Sequence, residues 1–143
     1  MLIEQISIFM ENKPGRLADV TELLAKSGVD IRAMSIADTR DFGILRLIVN
    51  KPALAEEVLK REGYTFSPTK VIAIGLDDQP GGLAGVLRLL YDNGISVEYM
   101  YAFVSRVEGK AYVILRVQDN DRAIAAVEKA GLTFLTDEAL YGM

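Results

Sequence analysis

Two short stretches hold the residues most able to meet a ligand. They are Glu11-Asn12-Lys13-Pro14-Gly15-Arg16-Leu17 and Asp77-Asp78-Gln79-Pro80-Gly81-Gly82-Leu83. Each precedes a segment with apolar residues at helical spacing, so each reads as the turn that leads into a helix. Asn12 and Asp78 are residue types that cap helices. Proline sets the backbone angle, and glycine lets another group come close to the backbone. A helix N-terminus offers unpaired N–H groups and the positive end of a dipole, and both suit a carboxylate. A molecule with an ammonium beside its carboxylate, such as a free amino acid, finds acceptors in Asp78, Asn12 or a strand carbonyl. The same pattern also serves simply to begin a helix, and the tetrapeptide alone does not separate the two uses.

The two stretches differ in character. Gly81-Gly82 promises the more open backbone, and Asp78 supplies an anionic partner for an ammonium. The first stretch has Lys13 and Arg16 instead, which either pair with a carboxylate or stand in solvent. On this reading one loop binds while the other is structural.

Other chemistries find little support. The chain has neither histidine nor cysteine, which removes Cys/His zinc sites, Ser-His-Asp triads and imidazole acid–base work. Carboxylate and lysine mechanisms stay open in principle. Gly81-Gly82-x-x-Gly85 has neither the spacing nor the lysine of a phosphate-binding loop. The paired acids Asp77-Asp78 and Asp119/Asp121 read as helix-start residues. No cofactor and no metal is expected. The net charge of −4 and the absence of a basic stripe make nucleic acid a poor partner. The N-terminus MLIEQISIFMEN has no basic region ahead of its apolar stretch, unlike a secretory signal. No apolar run approaches the ~18 residues that span a bilayer. A soluble cytoplasmic protein is expected, with no membrane partner.

The elements that position the two stretches emerge from an internal repeat. Shifted by 66 residues, Ile6 and Ile8 meet Ile72 and Ile74, and Pro14-Gly15 meets Pro80-Gly81. Leu17, Val20, Leu23 and Leu24 meet Leu83, Val86, Leu89 and Leu90, and Gly28 meets Gly94. The register then slips to 68, where Leu47 and Val49 meet Leu115 and Val117, and Gly63 meets Gly131. Each copy reads as strand (2–10), helix (14–27), strand (29–37), strand (43–50), helix after Pro52, and a short last strand (64–67). Ser67-Pro68-Thr69 reads as a connector, giving domains 1–68 and 69–143. Strand, helix, strand, strand, helix, strand is the ferredoxin-like order, in the α+β class, with helices on one face of an antiparallel sheet. Copies this small have marginal cores and should lean on each other or on a second chain.

The middle strands assign faces. With a bulge after Arg32, the residues Ile31, Met34 and Ile36 are expected in the helix-facing core, matched by Val97, Met100 and Ala102. The other face then carries Ala33, Ser35 and Ala37, with Ile44 and Ile48. In the second copy it carries Tyr99, Tyr101 and Phe103, with Tyr112 and Arg116. This second face is substantially apolar, which predicts an interface. A base-stacking platform is the competing use, but it needs basic surroundings that this chain lacks.

With these features in series, the chain resembles a pair of ACT domains, small regulatory modules of amino-acid metabolism. ISIFMENKPGRLADVTELLAKSGVDIRAMSIADT (6–39) carries the resemblance most strongly, and VIAIGLDDQPGGLAGVLRLLYDNGISVEYMYAF (71–103) repeats it. The resemblance implies a non-enzymatic regulatory protein that binds an amino acid or similar small ligand where ACT units meet. Its implied ligand contacts are Asn12, Gly15, Arg16 and Leu17, and Asp78, Gly81, Gly82 and Leu83. Second-strand contacts would be Ser35, Ile36, Met100 and Tyr101. It further implies a homodimer and a partner enzyme or regulator under allosteric control. The small regulatory subunit of acetolactate synthase is the alternative, although its single ACT domain precedes a different C-terminal domain. A short tail around Tyr141-Gly142-Met143 is left over.

Overall fold

The apolar periodicities fold as their spacing requires. In the computed structural model, which describes residues 2–38, 41–103 and 108–141, the elements are β1 (Leu2–Glu11), α1 (Arg16–Lys26), β2 (Ile31–Asp38), β3 (Phe42–Val49), α2 (Pro52–Arg61), β4 (Thr65–Asp77), α3 (Gly82–Asp92), β5 (Val97–Phe103), β6 (Lys110–Val117), α4 (Asn120–Lys129), β7 (Thr133–Phe134) and α5 (Asp137–Tyr141). The side chains of Asp38, Phe103, Asp137 and Tyr141 are outside the description, and so is the face expected for Phe103. The order is βαββαβ twice over: two tandem ferredoxin-like units.

Two boundaries differ from the sequence expectation. The expected connector Ser67-Pro68-Thr69 is not a loop. It lies inside β4, a strand of 13 residues that closes the first repeat and opens the second. Proline is tolerated in a strand where its missing N–H is not needed by a neighbour. The last repeat does not end at β7 either: the short helix α5 follows, where Thr136 Oγ1 accepts a hydrogen bond from the Ala139 amide at 3.2 Å. A threonine three residues before that amide is the capping signal that sequence reading passed over. The chain forms two compact units, Glu4–Thr69 with Leu140–Met143, and Lys70–Ala139 with Met1–Ile3.

In the first unit β3 pairs antiparallel with both β1 and β2. Ile6 lies opposite Leu47 and Ile8 opposite Leu45. These four side chains share one face and pack against Val20 and Leu24 of α1 and Ala55 and Leu59 of α2. Burying each of these large aliphatic side chains contributes about 1.5–3 kcal/mol. The second unit repeats the arrangement, with Ile72 opposite Leu115 and Ile74 opposite Val113 under Val86, Leu90, Ala123 and Val127.

Helix ends recur as closely. Gly28 adopts φ +76 at the end of α1, and the Gly28 and Val29 amides donate to the Ala25 and Leu24 carbonyls. That is a Schellman cap, open mainly to glycine because an L side chain disfavours positive φ. Gly63, Gly94 and Gly131 close the other long helices with the same pair of bonds. At the other end, Pro52 stands in the first turn of α2, and Asp119 caps α4 by accepting from the Arg122 amide at 3.1 Å.

The middle strands correct one expectation. The bulge falls where expected, between Ile31 and Ala33. Met34 and Ile36 lie opposite Leu47 and Leu45, so they are on the helix side of the sheet. They are not core: Met34 is 41% exposed and Ile36 49%. β2 is the terminal strand of the sheet, and the helices pack over β1 and β3 without covering it. Ile31 is partly buried, and Val97 and Met100 pack partly against the second core, while Ala102 is exposed.

The opposite face was expected to pack as an interface, and Ala33, Ile48, Ile114 and Tyr101 on it are buried, as are Gln5, Ser7, Val71 and Ala73. The Gln5 amide donates to Ser7 Oγ at 3.1 Å, giving these polar side chains a partner out of water. Among the described residues, the large apolar side chains left in solvent are Phe9, Leu17, Met34, Ile36, Phe42, Leu83 and Tyr91.

Two glycines of α3 should respond oppositely to alanine. A Cβ on Gly82 would meet the Asp77 carbonyl oxygen at 2.3 Å, whereas one on Gly85 meets nothing within 4 Å. Gly85→Ala should raise stability by about 0.5–1 kcal/mol, from helix propensity and unfolded-chain entropy. Gly82→Ala should lower it by at least about 1 kcal/mol, since backbone must move. Urea unfolding of both variants checks the pair.

Candidate functional site

The Pro-Gly dipeptides fold the two loops into one shape. The Arg16 amide donates to the Lys13 carbonyl at 3.3 Å, around Pro14 and Gly15, and Gly15 sits at φ 84, ψ −10. The Gly82 amide donates to the Gln79 carbonyl at 3.0 Å, around Pro80 and Gly81 at φ 91, ψ −12. These are type II turns, which favour proline at the second position and need positive φ, hence glycine, at the third. The turn's glycine is at the same time the N-cap of the helix that follows.

This geometry corrects the expected capping. Asn12 and Asp78 do not cap α1 and α3, since neither helix has a side-chain cap bond. Their backbone amides instead donate to the Asp41 carbonyl at 2.9 Å and the Gly109 carbonyl at 3.0 Å, tying each loop to its hairpin. The helices start without a cap, and their first-turn amides remain available. The Asp19 and Gly85 amides return to the Gly15 and Gly81 carbonyls. The amides of Leu17 and Ala18, and of Leu83 and Ala84, have no backbone acceptor among the described residues. Such amides are the donors an anion uses at a helix start.

In the first unit Leu17 stands at a cleft of about 180 Å³, lined by Met10, Glu11, Asn12, Lys13, Arg16, Leu17, Ile36, Gly43 and Leu45. Four of the expected site residues therefore converge: Asn12, Arg16, Leu17 and Ile36. Ile36 reaches the cleft because β2 is uncovered; the exposure that removed it from the core makes it a wall. Gly15 shapes the turn and is not among the lining residues. Ser35 does not join, because it pairs with Arg46 on the opposite face of the sheet. Sequence reading missed Met10, Gly43 and Leu45. Met10 and Gly43 are register partners, and Leu45 lies opposite Ile36, so the strand pairing was the signal for them.

Charge in the cleft is mixed. Lys13 Nζ lies 2.7 Å from Glu11 Oε2. That hydrogen bond and the attraction of Lys13, with a smaller one from Arg16, hold the Glu11 carboxyl below its ordinary range. The Arg16 guanidinium makes no ion pair among the described residues. An anionic Glu11 and an unpaired arginine on one rim suit a ligand that bears both charges.

The second loop is built differently, and one expectation fails there. Gly81 faces open space, but Gly82 does not give a more open backbone. Its missing side chain makes room for the Asp77 carbonyl, so the loop closes onto the end of β4. Lys110 Nζ bonds Asp77 Oδ1 at 2.7 Å beside it, which raises the Lys110 pKa. Leu83 is exposed at the start of α3. Met100 lies on the helix side of β5, and Tyr101, opposite Ile114, is buried on the other. Among the described residues, no group of three or more Asp or Glu is arranged to hold a metal ion. No helix there is long and apolar enough to cross a membrane.

Glu11 supplies a pH test. Its folded pKa lies below the ordinary value of 4.5, so the charged form favours the folded state. That contribution is present above the unfolded pKa and is lost as pH falls through the folded one. An NMR titration of the side-chain carboxyl should give a midpoint below 4.5, and Lys13→Ala should move it upward. A midpoint at or above the ordinary value would contradict the Lys13 contact.

The comparisons with known proteins agree with the doubled fold. A family model described as an ACT domain pair matches residues 1–143. A protein of Bacteroides thetaiotaomicron with a crystal structure is 39% identical, with a TM-score of 0.94 over 100% of this chain and 98% of its own. The ligand-free regulatory subunit of aspartate kinase from Thermus thermophilus superposes with a TM-score of 0.65 at 19% identity, covering 90% of this chain and 93% of its own. The corresponding subunit from Thermus flavus gives 0.62 at 18%, covering 92% and 94%. At those identities the two subunits speak for the fold alone. No curated protein sequence matches the chain. The matched model covers both repeats, with their doubled βαββαβ order and Pro-Gly helix starts: this chain belongs to the family of paired ACT domains.

Proposed function

We propose that the chain is a regulatory protein, not an enzyme, that binds a free amino acid at the β1–α1 loop of its first unit. The observation that carries this reading is the convergence of complementary groups on one cleft. Arg16 and the Leu17 amide suit a carboxylate, Glu11 and Asn12 suit an ammonium, and Ile36, Leu45 and Met10 suit an aliphatic side chain. Binding in the second unit, through Asp78, Gly81, Gly82 and Leu83, is the weaker part of the proposal, because Asp77 and Gly82 close that loop.

The cleft's 180 Å³ is below the ~300 Å³ at which small-molecule pockets usually begin. It also opens beside the exposed Met34 and Ile36. A second copy of the chain that supplies the missing wall would make ligand binding and self-association one event. That is the allosteric device proposed here, acting on an enzyme or regulator of amino-acid metabolism in the cytoplasm. The regulatory subunits of aspartate kinase with the same fold make an amino-acid biosynthetic enzyme the partner class to try first.

Thermal denaturation against the twenty amino acids at millimolar concentration tests the proposal. A ligand that binds only the folded chain stabilises it by mass action, by about 2.7 kcal/mol at a hundred times Kd, and so raises the midpoint. At least one amino acid should do so. Gly15→Val should abolish that shift, since valine disfavours the positive φ of the turn. Gly81→Val should leave it in place. Ile36→Ala should weaken binding, and sedimentation should show the ligand favouring the larger species. No shift with any amino acid, or equal loss in both glycine variants, would refute the proposed site.

A further inference from the structure

A second cleft shares Met10, Glu11 and Arg16 with the first. It measures about 340 Å³ and is lined by Phe9, Met10, Glu11, Arg16, Phe42, Gly63, Tyr64 and Thr65. Every lining residue belongs to the first unit. Its volume is within the range of small-molecule sites. Phe42 is 61% exposed and Phe9 47%, which is unfavourable for a surface without a purpose.

The duplicated unit serves as an internal control. The positions that correspond to Phe9, Arg16, Phe42 and Tyr64 in the second repeat are Gly75, Gly82, Lys110 and Leu132. All four differ, whereas the glycine and threonine that frame the cleft, Gly63 and Thr65, recur as Gly131 and Thr133. The fold therefore does not require the aromatic side chains or the arginine. The second unit also fills the equivalent space. The Tyr112 ring lies 3.0 Å from where a Cβ of Gly75 would be. Lys110 bridges to Asp77 at 2.7 Å, and the Asp77 carbonyl occupies the place of a side chain at Gly82. One unit is closed by its own residues; the other is open and aromatic.

We infer that the cleft between Phe9, Phe42 and Tyr64 is a second ligand site, selective for planar aromatic carboxylates. Exposed aromatic side chains bind a flat ring by stacking or edge-to-face contact. The Arg16 guanidinium makes no ion pair among the described residues and sits on the rim. Its planar fork matches a carboxylate and can also lie over a ring. Leu17 and Ile36 line only the first cleft, and the Glu11 carboxylate that lines both is engaged by Lys13 at 2.7 Å.

The test titrates the full chain with phenylacetate, 4-hydroxyphenylacetate and indole-3-acetate, followed by two-dimensional amide NMR. Saturable shifts are expected around Phe9, Phe42, Gly63 and Thr65. Phe42→Lys and Arg16→Gly introduce the residues of the second repeat, so the fold has a precedent for each. Each should weaken binding about tenfold or more, and uncharged phenylacetamide should be weaker by a similar factor. Ile36→Ala should leave the affinity unchanged, which separates this site from the amino-acid cleft. The inference is overturned if none of the three acids gives saturable shifts at millimolar concentration. It is equally overturned if the shifts gather at Leu17 and Ile36. An effect of Phe42→Lys on sedimentation alone would also overturn it, marking the aromatic surface as a contact with a second copy.

Discussion

A type II turn that runs straight into a helix sets the terms for the first unit. Lys13-Pro14-Gly15-Arg16 closes with one backbone bond, and Gly15 takes the left-handed conformation that the turn needs. The same glycine is the helix N-cap, so no serine, threonine, aspartate or asparagine stands where it could satisfy the first-turn amides. The Asn12 amide is meanwhile engaged with the hairpin through Asp41. The position of the helix start, the availability of its amides and the placing of Arg16 all follow from that turn. Both repeats obey the constraint, so it belongs to the fold and not to one ligand.

What the two units build on this shared frame is different. In the second unit a glycine at 82 lets the Asp77 carbonyl come close, and an Asp77–Lys110 pair stands over the strand ends. In the first unit an arginine follows the turn, a phenylalanine replaces the lysine, and Glu11 finds Lys13 instead. Exposed ion pairs like these contribute little to stability. Their effect is steric and electrostatic: they decide whether the space beside the helix is filled or open. Duplication thus left one copy free to carry side chains that the other must do without.

Much of the frame was legible in the chain. The helical stripe through Leu17, Val20, Leu23 and Leu24, the four glycine helix stops, Pro52 at a helix start and Asp119 as a cap are all local matters, governed by neighbours within a turn. The bulge at Arg32 was also legible, because only an added residue lets Ile31 share a face with Met34 and Ile36. Less was legible at β4. Ser67-Pro68-Thr69 has the composition of a connector, yet strand pairing on both sides of it carries the backbone straight through. Burial of Gln5 and Ser7 on the face away from the helices was not legible either, since polar residues are usually outside.

The sequence by itself determined the repeat, the fold class and the two Pro-Gly turns, because each depends on periodicity or on one residue's allowed backbone angles. Tertiary structure decided which surfaces were covered. Ile36 has the spacing of a core residue and the correct side of the sheet, but on the terminal strand it stays half exposed and lines a cleft. Gly81-Gly82 has the composition of an open loop, but the Asp77 carbonyl fills half of it. Burial depends on what lies above a side chain, and that neighbour can come from anywhere in the chain. The two helix starts that look alike in the sequence are therefore one open cleft and one closed loop.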